Sequence, residues 1–197
     1  MHKKRIMPAE WSSEVTSVLL AYPHDGTDWA YMLDEAKDCF NRIISAITKE
    51  AGLTAVIVTP DIKETRRCLP PDIPDSKLCL VEIPTDDTWA RDFGPITIEE
   101  DGKKMLIDFQ FNGWGLKFAS ANDNLINLRA KESGIFTSPV ENCRSFILEG
   151  GSIESDGRGT ILTTSECLMS PNRHGGSARE EIETYLKRTL GAASKLW

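Results

Sequence analysis

Apolar and polar positions divide the chain into short segments with recognisable periods. Val15–Tyr22 (VTSVLLAY) is an apolar run stopped by Pro23, the pattern of a buried strand. Trp29, Leu33, Ala36, Phe40, Ile43, Ile44 and Ile47 follow at helical spacing, so Trp29–Lys49 is expected to be a helix, with Asp28 placed to cap it and Gly52 to end it. Leu53–Thr59 (LTAVIVT) is β-branched and strand-like. Asp61–Cys68 reads as a short helix capped by Asp61, and the prolines of Leu69–Pro74 mark a loop. Leu78–Ile83 is the next strand. Pro95–Glu99 and Lys104–Phe111 form a hairpin around EDGK, whose Asp-Gly is a strong turn signal. Asn122–Glu132 is helical, Gly134 closes it, and Ile135–Thr137 is a short strand. Phe146–Leu148 leads into the turn Glu149–Gly151. Ser152–Glu154 and Thr160–Thr164 pair around DGRG, and Ser177–Leu190 is a final helix capped by Gly191.

An order repeats in this series. Strand, acidic turn, hairpin with an Asp-Gly corner and helix occur from 78 to 134 and again from 145 to 191. Asp92 and Glu149 end the two acidic turns, 57 residues apart (149 − 92). The stretch 15–59 has similar strand–helix–strand content. Repeats that each offer one carboxylate at a strand end suggest a single domain over 1–197, an α/β propeller of ββαβ units whose acids converge. An ordinary α/β sandwich remains the alternative that periodicity leaves open.

Composition narrows the function. Of 197 residues, 40% are hydrophobic and 27% charged, the range of an ordinary globular chain. The net charge of −7 argues against nucleic acid and suits a small cation. No apolar run reaches the roughly 18 residues of a membrane span, and the basic N-terminus lacks an apolar stretch that would make it a secretory signal. Five cysteines, odd in number and without CxxC pairing, point to a reducing compartment, so the cytoplasm is expected and no metal site is indicated.

The stretch TDDTWARDFGP (85–95) concentrates the candidate chemistry. Asp92 and Glu149 could face one another across a pocket and hold a guanidinium, whose planar fork of N–H donors matches carboxylates. Trp89 could stack on the same flat cation. Gly150 and Gly151 would let backbone approach a ligand or take up positive φ. In the structural alternative Asp92 caps a turn and Glu149 pairs with a neighbour such as Arg91 or Arg144.

TWARDFGP (88–95), FNGWG (111–115), LEGG (148–151) and TTSECLMSPNR (163–173), together with MPAEW (7–11), occur in this order in a known family. The chain resembles agmatine deiminases and the bacterial peptidyl-arginine deiminases of the guanidine-modifying pentein superfamily, along nearly its whole length. The resemblance implies a five-bladed α/β propeller, of which about three blades are expected here. It implies that Asp92 grips the substrate guanidinium, that Trp89 and Trp114 line its pocket with Gly150 beside them, and that Glu149 orients a catalytic histidine. Arg91, Asn172 and Arg173 are expected to be scaffold. The implied reaction is hydrolytic and needs no cofactor: a cysteine thiolate attacks the guanidinium carbon, ammonia leaves, and water releases the product. Agmatine, arginine and peptidyl-arginine are all candidate substrates.

The chain departs from that pattern in one respect. The family's H-x-D motif and terminal H-C segment are absent, and the 57-residue interval beyond Glu149 falls near position 206, past Trp197. Of His2, His24 and His174, none is followed by x-Asp. Cys167 with His174 is the best local substitute, yet ECLM reads as a buried inert thiol and RHGG as an exposed loop. Two expectations remain: an inactive part of a deiminase completed by a C-terminal half or partner chain, or a non-catalytic module that binds guanidino ligands. Either could form homo-oligomers through an uncovered apolar face.

Overall fold

The computed structural model describes residues 4–10, 12 and 15–197. Trp11 of MPAEW and His2 lie outside them. The chain is α/β, with three separate sheets.

The first sheet is all-parallel: β2 (Ser17–Ala21), β3 (Thr54–Thr59) and β4 (Leu78–Glu82), with β3 in the centre. Alternation along β3 sends Ala55 and Ile57 toward one core and Val58 toward another. Helices α1 (Leu33–Ser45) and α2 (Ile62–Cys68) are its crossovers. Asp61 caps α2 as expected, accepting from Glu64 N at 2.9 Å. Asp28 does not cap α1; a 3₁₀ turn, Ala30–Met32, intervenes, and no side chain caps either start. The end of the expected helix is a π segment, Ala46–Glu50, closed by Ala51 N to Ala46 O. Instead of a buried strand, β2 is an edge strand whose only buried residue is Ala21.

The second sheet runs β1 (Arg5–Ile6), β5 (Ile96–Glu100), β6 (Lys103–Gln110), β7 (Val140–Ile147). The β5–β6 turn is tighter than expected: two residues, Asp101 (φ 50) and Gly102 (φ 79), both in the left-handed region that a two-residue hairpin demands. α3 (Ala90–Phe93) precedes β5, and α4 (Gly113–Leu116) and α5 (Ile126–Glu132) lie between β6 and β7 in the chain. The strand expected at Ile135–Thr137 is irregular, and the real one, β7, starts at Val140. The third sheet pairs β8 (Ile153–Ser155) with β9 (Thr160–Thr163), and β9 with β10 (Ser194–Leu196). Helices α6 (Ser165–Leu168), α7 (Pro171–His174) and α8 (Arg179–Leu190) connect the last two strands. Gly191 ends α8 at φ 76, packed so closely on Arg5 O that a Cβ would overlap it.

Two sheets therefore carry ββαβ order, whereas the first is βαβαβ. The strand that opens each sequence repeat, β4 or β7, closes the preceding sheet, so the repeat and the sheet are offset by one strand. Phe109, Phe146, Ile153, Ile161 and Leu186 share one core between the second and third sheets. No helix of the described residues is long and apolar enough to cross a membrane.

Candidate functional site

β4 delivers the chain into the acidic stretch, and buried carboxylates fix its path. Asp123 is 1% exposed and accepts from Asp86 N at 2.8 Å and Asp87 N at 3.1 Å. Asp86 returns the contact, accepting from Asn122 N at 2.7 Å and Asn122 Nδ2 at 2.9 Å. Burial pushes the Asp123 carboxyl up to about 7, against the two N–H donors that favour its anion. Asp87 accepts from Thr88 N at 2.8 Å, and burial raises its pKa too. Thr88 Oγ1 accepts from Trp29 Nε1 at 2.8 Å, and the Trp29 and Trp89 rings lie 6.0 Å apart. Trp89 is thus braced from behind, yet remains 45% exposed.

One turn later, α3 presents Asp92. Its Oδ1 accepts from Gly151 N at 3.0 Å and its Oδ2 from Trp114 Nε1 at 2.9 Å. The glycines of LEGG explain this approach. A Cβ on Gly150 would overlap Arg91 O, and one on Gly151 would overlap Asp92 Oδ1. Neither has positive φ; both are glycine because α3 lies against them. Gly150 itself is buried and does not line the cleft described below.

Trp114 reaches Asp92 from a costly backbone. Gly113, Trp114, Gly115 and Leu116 all have positive φ (66°, 56°, 82° and 66°). Two non-glycine residues in this region cost about 1–3 kcal/mol each. Side chains hold the turn: Asn112 Oδ1 accepts from Gly115 N, Asn172 Nδ2 donates to Gly115 O, and Asn112 Nδ2 donates to Asn172 O, all at 2.8–2.9 Å.

Glu149 does not face Asp92 across a pocket. It is buried, with both oxygens held by Arg173: Nε donates at 2.8 and 2.9 Å, and Nη2 lies 2.8 Å from Oε1. The partners expected for it are engaged elsewhere. Arg91 pairs with Glu10 and donates to Ile153 O, and Arg144 lies against Asp108 and Asn124 O. His174 is half-buried rather than on an exposed loop. Its ring packs on Phe146 at 4.0 Å, its Nε2 donates to Ile147 O at 2.7 Å, and burial lowers its pKa. Cys167 has its N–H on Thr164 Oγ1, and its thiol is not hydrogen-bonded to His174.

What the fold brings together is an open cleft of about 310 Å³ lined by Asp28, Trp89, Asp92, Trp114 and Phe118. Three of these, Trp89, Asp92 and Trp114, were legible in the motifs. Asp28 stands before a helical pattern, where its sequence context suggests a cap instead. Phe118, 55% exposed and edge-on to Trp114 at 5.6 Å, lies outside the motifs, and an aromatic four residues after Trp114 is its only signal in the sequence. Carboxylates beneath aromatic faces are suited to a flat organic cation.

The sequence matches the Porphyromonas-type peptidyl-arginine deiminase family over residues 6–197. The chain belongs to that family. A protein of Photobacterium profundum named as a candidate agmatine deiminase is 33% identical, over 97% of this chain and 52% of its own length. The crystal structure of a candidate arginine deiminase from Porphyromonas gingivalis is 45% identical with a TM-score of 0.87, over 98% of this chain and 56% of that one. A cysteine-to-serine variant of C. jejuni agmatine deiminase with substrate bound is 32% identical with a TM-score of 0.88, over 99% and 56%. This chain thus spans about half the length of the curated relatives it matches.

Proposed function

We propose that this chain supplies the cation-gripping part of a hydrolase acting on linear guanidines, with agmatine or an arginine-like molecule as substrate. In this reading it contributes about three blades to a five-bladed propeller in the cytoplasm. The supporting observation is Asp92. Each of its oxygens accepts one fixed N–H, from Gly151 or Trp114, and each keeps a lone pair for a ligand in an aromatic-walled cleft. Such an anchor needs no reorganisation when a guanidinium arrives.

The chemistry follows from the family. A cysteine thiolate adds to the guanidinium carbon, ammonia leaves with a proton from a histidine, and water hydrolyses the thiouronium, regenerating the thiol. With agmatine and one water the products are N-carbamoylputrescine and ammonia. The thiolate and histidine would come from a further polypeptide segment, so the chain by itself is expected to bind without turning over. Calorimetry with agmatine tests the anchor: Asp92→Asn should weaken binding by about 2–5 kcal/mol. Unchanged affinity would remove Asp92 from the site. Adding a polypeptide with the H-x-D and H-C segments should restore ammonia release.

One observation favours a non-catalytic guanidino-binding module instead. Both oxygens of Glu149 are already engaged by Arg173, so an incoming histidine would have to compete with an internal guanidinium for this carboxylate. A stable monomer that binds agmatine, and that no such polypeptide activates, would support that reading.

A further inference from the structure

The cleft holds a second carboxylate. Asp92 is tied by two N–H donors, whereas the Asp28 side chain has no hydrogen bond or ion pair among the described residues. Asp28 is exposed and lines the same cleft as Trp89 and Phe118. Its backbone N–H is committed to Asp87, whose carboxylate is a like charge close to the Asp28 side chain. A ligand with a single positive charge on Asp92 would leave Asp28 without a partner. A linear molecule with charges at both ends satisfies both acids, its apolar linker lying against Trp89, Trp114 and Phe118.

We propose that Asp28 is a specificity-determining residue that reads a second positive charge, selecting dicationic guanidines over singly charged ones and over those with a carboxylate at the far end. This rests on the cleft being the guanidinium site. An arginine α-carboxylate brought to that rim would meet Asp28 as a like charge, which disfavours the amino acid and a peptide C-terminal arginine. The gain is modest because Asp28 is solvated, and it should fall with added salt.

The test uses the whole chain and three ligands: agmatine, n-butylguanidine, which lacks the second charge, and arginine. Agmatine should bind about 5-fold tighter than n-butylguanidine, the size of an exposed ion pair. In Asp28→Asn that ratio should approach one, agmatine losing more affinity than n-butylguanidine. In Asp28→Lys arginine should bind tighter than agmatine. Equal affinities of agmatine and n-butylguanidine in the unaltered chain, or a ratio that Asp28→Asn leaves intact, overturn the role of Asp28 while the guanidinium site stands. If none of the three binds, the site reading fails and this one with it. Both substitutions are at an exposed side chain without partners, and a circular dichroism melt matching the unaltered chain confirms that the fold is kept.

Discussion

Arg173→Ala isolates the least expected contact of the structure. The Arg173 and Glu149 side chains are 9% and 3% exposed, joined by two contacts of 2.8 Å and one of 2.9 Å. Deleting the cation leaves a carboxylate in the interior without its partner, a change that costs about 3–5 kcal/mol. It also removes packing beside Gly115, since Arg173 Nη1 lies 3.2 Å from where a Cβ there would stand. Arg173→Lys keeps the charge but not the fork, so an intermediate loss of about 1–2 kcal/mol is expected. Urea unfolding followed by circular dichroism at pH 7.5 measures both variants. A loss below about 1 kcal/mol would refute the account of Glu149 as a buried carboxylate dependent on Arg173.

Asp123 predicts a pH dependence of stability. Its folded-state pKa of about 7 lies above the ordinary 3.8, so its contribution is fully present below pH 3.8 and lost as pH rises toward 7. Asp123→Asn should flatten the decline between about pH 4 and 7, by a few kcal/mol at most on the order of the shift. Parallel slopes in the two proteins would contradict this. Gly151→Ala should cost about 1–3 kcal/mol, because backbone and the Asp92 carboxylate cannot both stay where they are. It should also weaken agmatine binding in calorimetry, and an unaltered melting temperature with unaltered affinity would show that α3 has room to move.

Local chemistry made parts of the fold legible. The Asp-Gly pair at 101–102, the Asp61 cap and Gly191 at the end of α8 each express a backbone requirement met within a few residues. β7 was missed because its sequence, VENCRSFI, does not alternate cleanly. Its polar positions are satisfied from far away: Glu141 is paired with Arg5 at 2.5 Å, and Arg5 also bonds Glu100 at 2.8 Å. The left-handed turn at 113–116 was likewise beyond reach, since Trp114 and Leu116 have no local preference for positive φ and are held by Asn112, Asn172 and Asp92. In the cleft, Asp92, Trp89 and Trp114 belong to the motifs, whereas the sequence context of Asp28 suggests a local cap. Neighbours in sequence misled the choice of partner for Glu149, because Arg91 and Arg144 sit next to the motifs but are drawn off by Glu10 and Asp108.

Asp92 and Glu149 stand at equivalent points of a sequence repeat and have opposite surroundings. Asp92 is partly exposed and its donors are neutral N–H groups, so it keeps its charge unneutralised toward the cleft. Glu149 is buried, and burial without a cation is not sustainable for a carboxylate. The chain meets that demand with an internal guanidinium, gripped by the geometry that the site would use on a substrate. The same turn of α7 that brings Arg173 to Glu149 brings Asn172 to Gly115 O, and so steadies the turn that aims Trp114 at Asp92. The closed carboxylate and the open one are therefore mechanically linked. Any displacement of α7 would therefore reach Asp92 through the strained turn.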